Sequence, residues 1–148
     1  MDNKIDRKKV LIVGEYKLAK AIASSLLKRG CSVTVINDDS EECERLAEIK
    51  GLSVIFGNGT RKSVLKDASA ESRDIVIAVT ECDEKNLIIS EICKDEFKVK
   101  RTIALLEDGE KSSFFYKMGV DRIISPLNLV TTIMEEEALK DEVTNRLS

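Results

Sequence analysis

The run Lys9-Val10-Leu11-Ile12-Val13 ends in Gly14, and the residues from Gly14 to Ala19 hold part of a phosphate-binding fingerprint. In the pattern G-x-G-x-x-G the glycines would fall at 14, 16 and 19; this chain carries Gly14, Tyr16 and Ala19. The first glycine serves a tight turn, the second lets the backbone approach a pyrophosphate, and the third lets a helix pack closely on a strand. Ala19 adds one methyl, which a close helix–strand contact can hold. Tyr16 is the larger change, because it sets a ring where a diphosphate would touch the main chain. Gly14, Tyr16, Lys17 and Leu18 form the first group of candidate ligand-binding residues.

Three more groups follow later apolar runs. Asn37 ends Ser-Val-Thr-Val-Ile, with Asp38 and Asp39 behind it. Ribose hydroxyls are usually held at this point by Asp or Glu, about 20 residues after the glycines. An amide can accept one hydroxyl proton without the charge that strengthens such a bond, and it can equally well start a turn. Gly57-Asn58-Gly59-Thr60 follows a third run; glycines on both sides of a polar residue permit positive φ and close backbone approach to a ligand. Thr80-Glu81-Cys82-Asp83-Glu84 follows a fourth. Thr80 offers a hydroxyl to phosphate or ribose, whereas Asp83 and Glu84 read first as helix caps. The candidates from these loops are Asn37, Asp38, Gly57, Asn58, Gly59, Thr60, Thr80 and Glu81.

Acid–base and metal chemistry have little to work with. The chain has no histidine, and Cys31, Cys43, Cys82 and Cys93 show no C-x-x-C spacing, which argues against an ordinary Cys/His zinc site. Reduced cysteines of a cytoplasmic protein are the simpler reading. Cys82 alone lies in a cleft loop, and the acids beside it work against a reactive thiolate. A small NAD(P)-dependent oxidoreductase would need a proton donor near the nicotinamide and usually a second domain for substrate. The chain offers no histidine and no Tyr/Lys pair in register with the loops, so the enzyme is the alternative reading and the expectation is a protein without catalysis.

The elements that must position these groups alternate along the chain. Strands are expected at Lys9–Val13, Ser32–Ile36, Ser53–Phe56, Asp74–Val79, Lys100–Leu106 and Arg122–Ile124. Helices are expected at Leu18–Arg29, stopped by Gly30; at Glu41–Lys50, capped by Ser40 and ended by Gly51; and at Arg61–Ala68. Further helices follow at Asp83–Lys94, Glu110–Met118 and Leu127 to about Lys140, with Pro126 at the start of the last, where a missing N–H is harmless. Asp-Ile-Val-Ile-Ala-Val is apolar on both faces after its first residue, as a covered parallel strand is. Six strands alternating with helices imply an α/β, Rossmann-like, doubly wound parallel sheet with helices on both faces. In such a sheet ligands sit outside the carboxyl ends of the strands at the switch point. The candidate loops all lie there.

At 148 residues, with 43% apolar and 34% charged residues, the chain is one globular domain with a tail before residue 9. A net charge of -3 gives no field to draw nucleic acid, and Arg7-Lys8-Lys9 is only a short basic patch. No apolar run approaches the roughly 20 residues of a membrane span, so any membrane association is expected to be peripheral. The last helix carries Leu127, Val130, Ile133 and Met134 on one face, which either packs on its own sheet or docks on a neighbour.

Several segments together resemble the N-terminal nucleotide-binding domain of RCK/KTN proteins, the Trk/Ktr-type regulators of potassium transporters and channels. They are Val10–Gly14; Gly57-Asn58-Gly59-Thr60 with Val64-Leu65-Lys66-Asp67-Ala68; Asp74–Thr80 with Asn86-Leu87; and Met118-Gly119-Val120-Asp121-Arg122-Ile123-Ile124-Ser125-Pro126. They occur in the family's order and cover roughly residues 9–134, with residues 9–126 the domain proper and 127–148 a crossover helix and tail. The resemblance implies a domain that dimerises and joins a cytoplasmic ring on the inner face of the membrane, beneath an ion-conducting K+ transporter or channel subunit. It implies a cleft for AMP, ADP, ATP or NAD(H), whose exchange gates K+ flux without chemistry on the ligand. The resemblance does not extend to the family's small C-terminal sensing domain. Residue by residue, Gly14 matches the fingerprint glycine, Lys17 a basic residue near phosphate, and Thr80 the loop after the fourth strand. Asn37 stands for the ribose acid, Asn58 for an Asp and Leu105 for an Arg. The departures Tyr16, Asn37 and Leu105 all fall on the ligand side, which favours a mononucleotide such as AMP or ADP, or a structural ring subunit that binds none.

Overall fold

The computed structural model describes residues 7–141; residues 1–6 of the expected N-terminal tail and residues 142–148 at the other end lie outside the described part. Six strands alternate with six helices: β1 (Lys9–Gly14), α1 (Tyr16–Lys28), β2 (Ser32–Asn37), α2 (Ser40–Ala47), β3 (Ser53–Phe56), α3 (Lys62–Asp67), β4 (Ile75–Val79), α4 (Asp83–Asp95), β5 (Arg101–Leu105), α5 (Ser112–Lys117), β6 (Arg122–Ile124) and α6 (Pro126–Leu139). The strands form one sheet in the order β3-β2-β1-β4-β5-β6, and every pairing is parallel. This is the expected doubly wound, Rossmann-like architecture. The chain reverses its winding between β1 and β4, which places the switch point beside Gly14.

Two cores flank the sheet. On one face α1 and α2 cover β1 and β2, where Ala19, Ala23 and Leu46 meet Val10, Ile12, Val33 and Val35. On the other, α3, α4 and α5 bring Leu65, Ile89, Cys93 and Phe115 onto Leu11, Val13, Val76 and Ala78. Alternate residues of β1 thus serve opposite cores, as the period of a strand requires. Ala19 is fully buried, so the third fingerprint position does serve close helix packing.

Local chemistry moves several boundaries. Helix α1 begins at Tyr16, ahead of the expected Leu18, because Glu15 caps it. Helix α2 is capped by Asp39 and not by Ser40; the Asp39 carboxylate accepts the Glu42 N–H at 3.0 Å, and the helix ends at Ala47, short of Lys50. A 3-10 turn over Gly109–Lys111 replaces the first turn expected of α5. Gly30, at φ +91°, ends α1 as expected.

Helix α6 differs from the rest. It carries Pro126 in its first turn and buries none of its residues; Leu127 is 68% and Met134 66% exposed. On the α1 side of the sheet, Ile75, Ile77, Ile103 and Leu105 are half-buried, and a groove of about 350 Å³ runs past Val10, Leu26, Ile75, Ile77 and Ile103. Packing of α6 on its own sheet, one of the two expectations, is not what the structure adopts.

Candidate functional site

A cleft of about 410 Å³ opens at the carboxyl ends of β1, β2, β3 and β4. It gathers Gly14, Asn37, Asp38, Gly57, Asn58, Gly59, Thr60, Thr80 and Glu81 from the expected set. Tyr16, Lys17 and Leu18 do not line it. The reason is the early start of α1. Its first turn sends the Tyr16 ring toward α2, where Arg45 Cζ lies 5.2 Å and Lys20 Nζ 5.5 Å from the ring centroid. Leu18 joins the α1–α2 core and Lys17 is exposed. The ring expected to meet a diphosphate is a packing group with two cations over it. Leu105 likewise lies in the α1–α2 core and outside the cleft lining.

Glu15 occupies the place that Tyr16 leaves. Its two carboxylate oxygens accept the N–H groups of Lys17 and Leu18, both at 2.8 Å. Those N–H groups belong to the first helical turn and have no partner within the helix, so they are the ones such a fold offers to phosphate. The sequence signal was an acid in the last non-helical position before the apolar helical pattern.

Gly14 lacks a Cβ for the sake of its neighbouring strand. A Cβ there would stand 2.6 Å from the carbonyl oxygen of Val79, its register partner on β4. Gly57 and Gly59 are not in the positive-φ region, contrary to expectation. They are glycines because Val64 and Val13 press against them. Between them, Asn58 Oδ1 accepts from the Thr60 N–H at 2.9 Å and from the Thr60 hydroxyl at 2.7 Å, closing the loop on itself.

Asn37 is buried and engaged on both ends of its amide. Its Nδ2 donates to the Gly14 carbonyl at 3.1 Å and to Glu42 Oε1 at 3.0 Å, while Oδ1 accepts the Asp39 N–H at 2.8 Å. An Asp here would set a carboxylate against a carbonyl and a second carboxylate, so the amide fits these partners and an acid does not. Below it, burial pushes the Cys43 thiol up, with Asp39, Asp38 and Glu42 adding to the effect.

Asn86, on α4, plays the matching part across the cleft. Its Oδ1 accepts the Thr80 N–H at 2.9 Å and the Thr80 hydroxyl at 2.6 Å; its Nδ2 donates to the carbonyls of Thr80 at 3.2 Å and Leu105 at 2.9 Å. Asp83 does not cap α4. Its carboxylate accepts the N–H groups of Glu107 and Asp108 at 2.9 and 3.1 Å, and Cys82 takes the capping position. Glu84 pairs with Lys111 at 2.7 Å, and that bond holds its carboxyl below the usual range.

The lining is acidic. Glu15, Asp38, Asp39, Glu42 and Glu81 face one cation, Lys85. Among the described residues, no group of three or more acids or cysteines is arranged to hold a metal ion.

Residues 10–126 match the model of the TrkA-N domain family. The chain is 29% identical over 136 residues to the Trk system potassium uptake protein TrkA homolog of Methanothermobacter thermautotrophicus, a match that covers 92% of this chain and 62% of that protein. The chain therefore spans about three fifths of that relative's length. Among solved structures it resembles the TrkA-N domain of the inner membrane protein ybaL from Escherichia coli, with a TM-score of 0.82 and 16% identity over 90% of this chain and 98% of that one. It also resembles the AMP-bound Kef C-terminal domain of Shewanella denitrificans, with a TM-score of 0.74 and 18% identity over 92% and 84% of the two chains.

Proposed function

The chain belongs to the TrkA-N domain family, and on that premise we propose that it is a regulatory subunit of a potassium transport system that reads an adenine nucleotide in the cleft beside Gly14. The observation that carries this reading is the cleft itself. It sits at the switch point of the sheet, where this architecture places its ligands, and loops from four strands converge on it. AMP, ADP, ATP and NAD(H) are the ligand candidates. The subunit binds its ligand without converting it, and a ligand acts on the assembly only by preferring one arrangement of subunits over another.

The partners in this reading are a second copy of the chain and a membrane-embedded K+ transporter or channel subunit on the inner face of the membrane. The exposed apolar face of α6 supports the first of these. No helix of the described residues is long and apolar enough to cross a membrane, in keeping with peripheral attachment. A second reading, a ring subunit that binds no nucleotide, draws support from Glu15 and Asn37, whose polar atoms are already engaged inside the chain.

Thermal unfolding against AMP, ADP, ATP, NAD+ and NADH tests the proposal. A ligand at 100 times its Kd adds about 2.7 kcal/mol, and each kcal/mol moves the midpoint by roughly 2–4 °C for a domain near this size. A rise of several degrees with one of the five is expected. No rise with any of them leaves the second reading.

A further inference from the structure

Glu15 lines the cleft and at the same time holds the two N–H groups that a ligand phosphate would need. We infer that Glu15 is a built-in competitor for ligand phosphate, so that the cleft recognises the adenine nucleoside portion of a ligand and binds it less tightly with each phosphate added. The inference rests on the nucleotide reading of the cleft given above.

Both oxygens of the carboxylate are used, one on the Lys17 N–H and one on the Leu18 N–H, at 2.8 Å each. A phosphate entering the first turn of α1 must displace both bonds and then share a cavity of about 410 Å³ with the displaced carboxylate. That charge would then stand in a lining of Asp38, Asp39, Glu42 and Glu81 with Lys85 as its one cation. Asp39 caps α2, and the Asn37 amide pins Glu42 at 3.0 Å, so the acidic wall opposite is held in place. Like charges brought together in the cleft are a penalty on the wrong ligand. A nucleoside meets no such conflict. Ribose hydroxyls and the exocyclic amine of adenine are donors, and the carboxylates of Asp38 and Glu81, away from Glu15, are acceptors in the lining.

Calorimetric titration of adenosine, AMP, ADP and ATP into the wild-type chain and into Glu15→Ser tests this. Serine keeps a side-chain oxygen that can cap α1 while removing the charge; Glu15→Gln, equal in shape and neutral, serves as the second variant. In the wild type, affinity is expected to fall from adenosine through AMP and ADP to ATP. In both variants ADP is expected to gain about tenfold or more while adenosine changes by less than about twofold. ADP binding seen only in the variants also supports the inference. It is overturned, with the nucleotide reading intact, if wild-type chain binds ADP as tightly as adenosine or if neither variant improves ADP. If none of the four ligands binds the wild type or either variant, the inference falls, and the nucleotide reading falls with it when NAD+ and NADH also leave the unfolding midpoint unchanged.

Discussion

The cleft and helix α6 are opposites in how far the chain satisfies its own groups. Around the cleft, Glu15, Asn37, Asn58, Thr60, Thr80 and Asn86 all find partners within the chain. Along α6, Leu127, Leu129, Val130, Ile133 and Met134 stand more than half exposed. A ligand that draws on these groups must therefore replace bonds that already exist, whereas a surface docking on α6 replaces only water. Each large side chain of that face, already partly covered, stabilises a complex by about 1–2 kcal/mol if the rest is buried. On the proposed reading, recognition in the cleft would be a matter of exchange, and association through α6 a matter of gain.

From that difference it follows that substitutions around the cleft are expected to weaken the fold and those on α6 are not. Asn86→Ala is expected to cost the most, about 4 kcal/mol, because it leaves the Thr80 N–H and the Thr80 and Leu105 carbonyls without their partner. Urea unfolding at constant slope checks it. Gly14→Ala follows at about 2–3 kcal/mol, since the new methyl meets both the side chain and the backbone carbonyl of Val79 on β4, and the backbone cannot give way. Asp39→Ala is expected to lower stability by about 1 kcal/mol, and Ser40→Ala by less than about 0.5 kcal/mol. The opposite order in a urea titration would return the cap to Ser40.

Smaller still is an acid-dependent effect at the β5–β6 edge. Burial raises the Asp121 carboxyl, but the bond from Lys94 at 2.6 Å and those from Thr102 outweigh it, so the group is held below its ordinary value. A carboxyl depressed in the folded state stabilises above its unfolded value, about 3.9, and that stability is lost as pH falls through the folded value. Asp121→Asn is thus expected to narrow the gap from wild type on going from pH 7 to pH 3 in a urea series. The last substitution is expected to leave the fold untouched. Ile133→Asp with Met134→Asp keeps the circular dichroism spectrum while light scattering shows the mass falling from dimer to monomer. A dimer that survives both substitutions would remove α6 from the association.

The strands and helices were legible because β-branched runs alternate with helical periods, and Gly30 and Pro126 punctuate them where expected. The site was less so. Asp38, Asp39 and Ser40 are all competent caps, and only backbone geometry selects Asp39. Tyr16 could not be placed without Arg45, which comes from the next helix. Gly57 and Gly59 suggest loop freedom in a linear reading, yet both answer to valines that the fold brings against them. Glu15 went unnoticed because fingerprint positions are defined by glycines, and the residue between the first two carries no expectation in the pattern.

The strand order has a consequence for how the chain is made. β1 lies at the centre of the sheet, and its pairing with β4 joins Val10 to Ile75. At about 5–20 residues per second of synthesis, one edge of β1 waits on the order of 3–13 seconds for its partner. Meanwhile β2 and β3 can already line up on the other side. The nascent N-terminal half thus presents an open parallel edge of Val10, Leu11, Ile12 and Val13, a template for mispairing until residues 75–79 arrive.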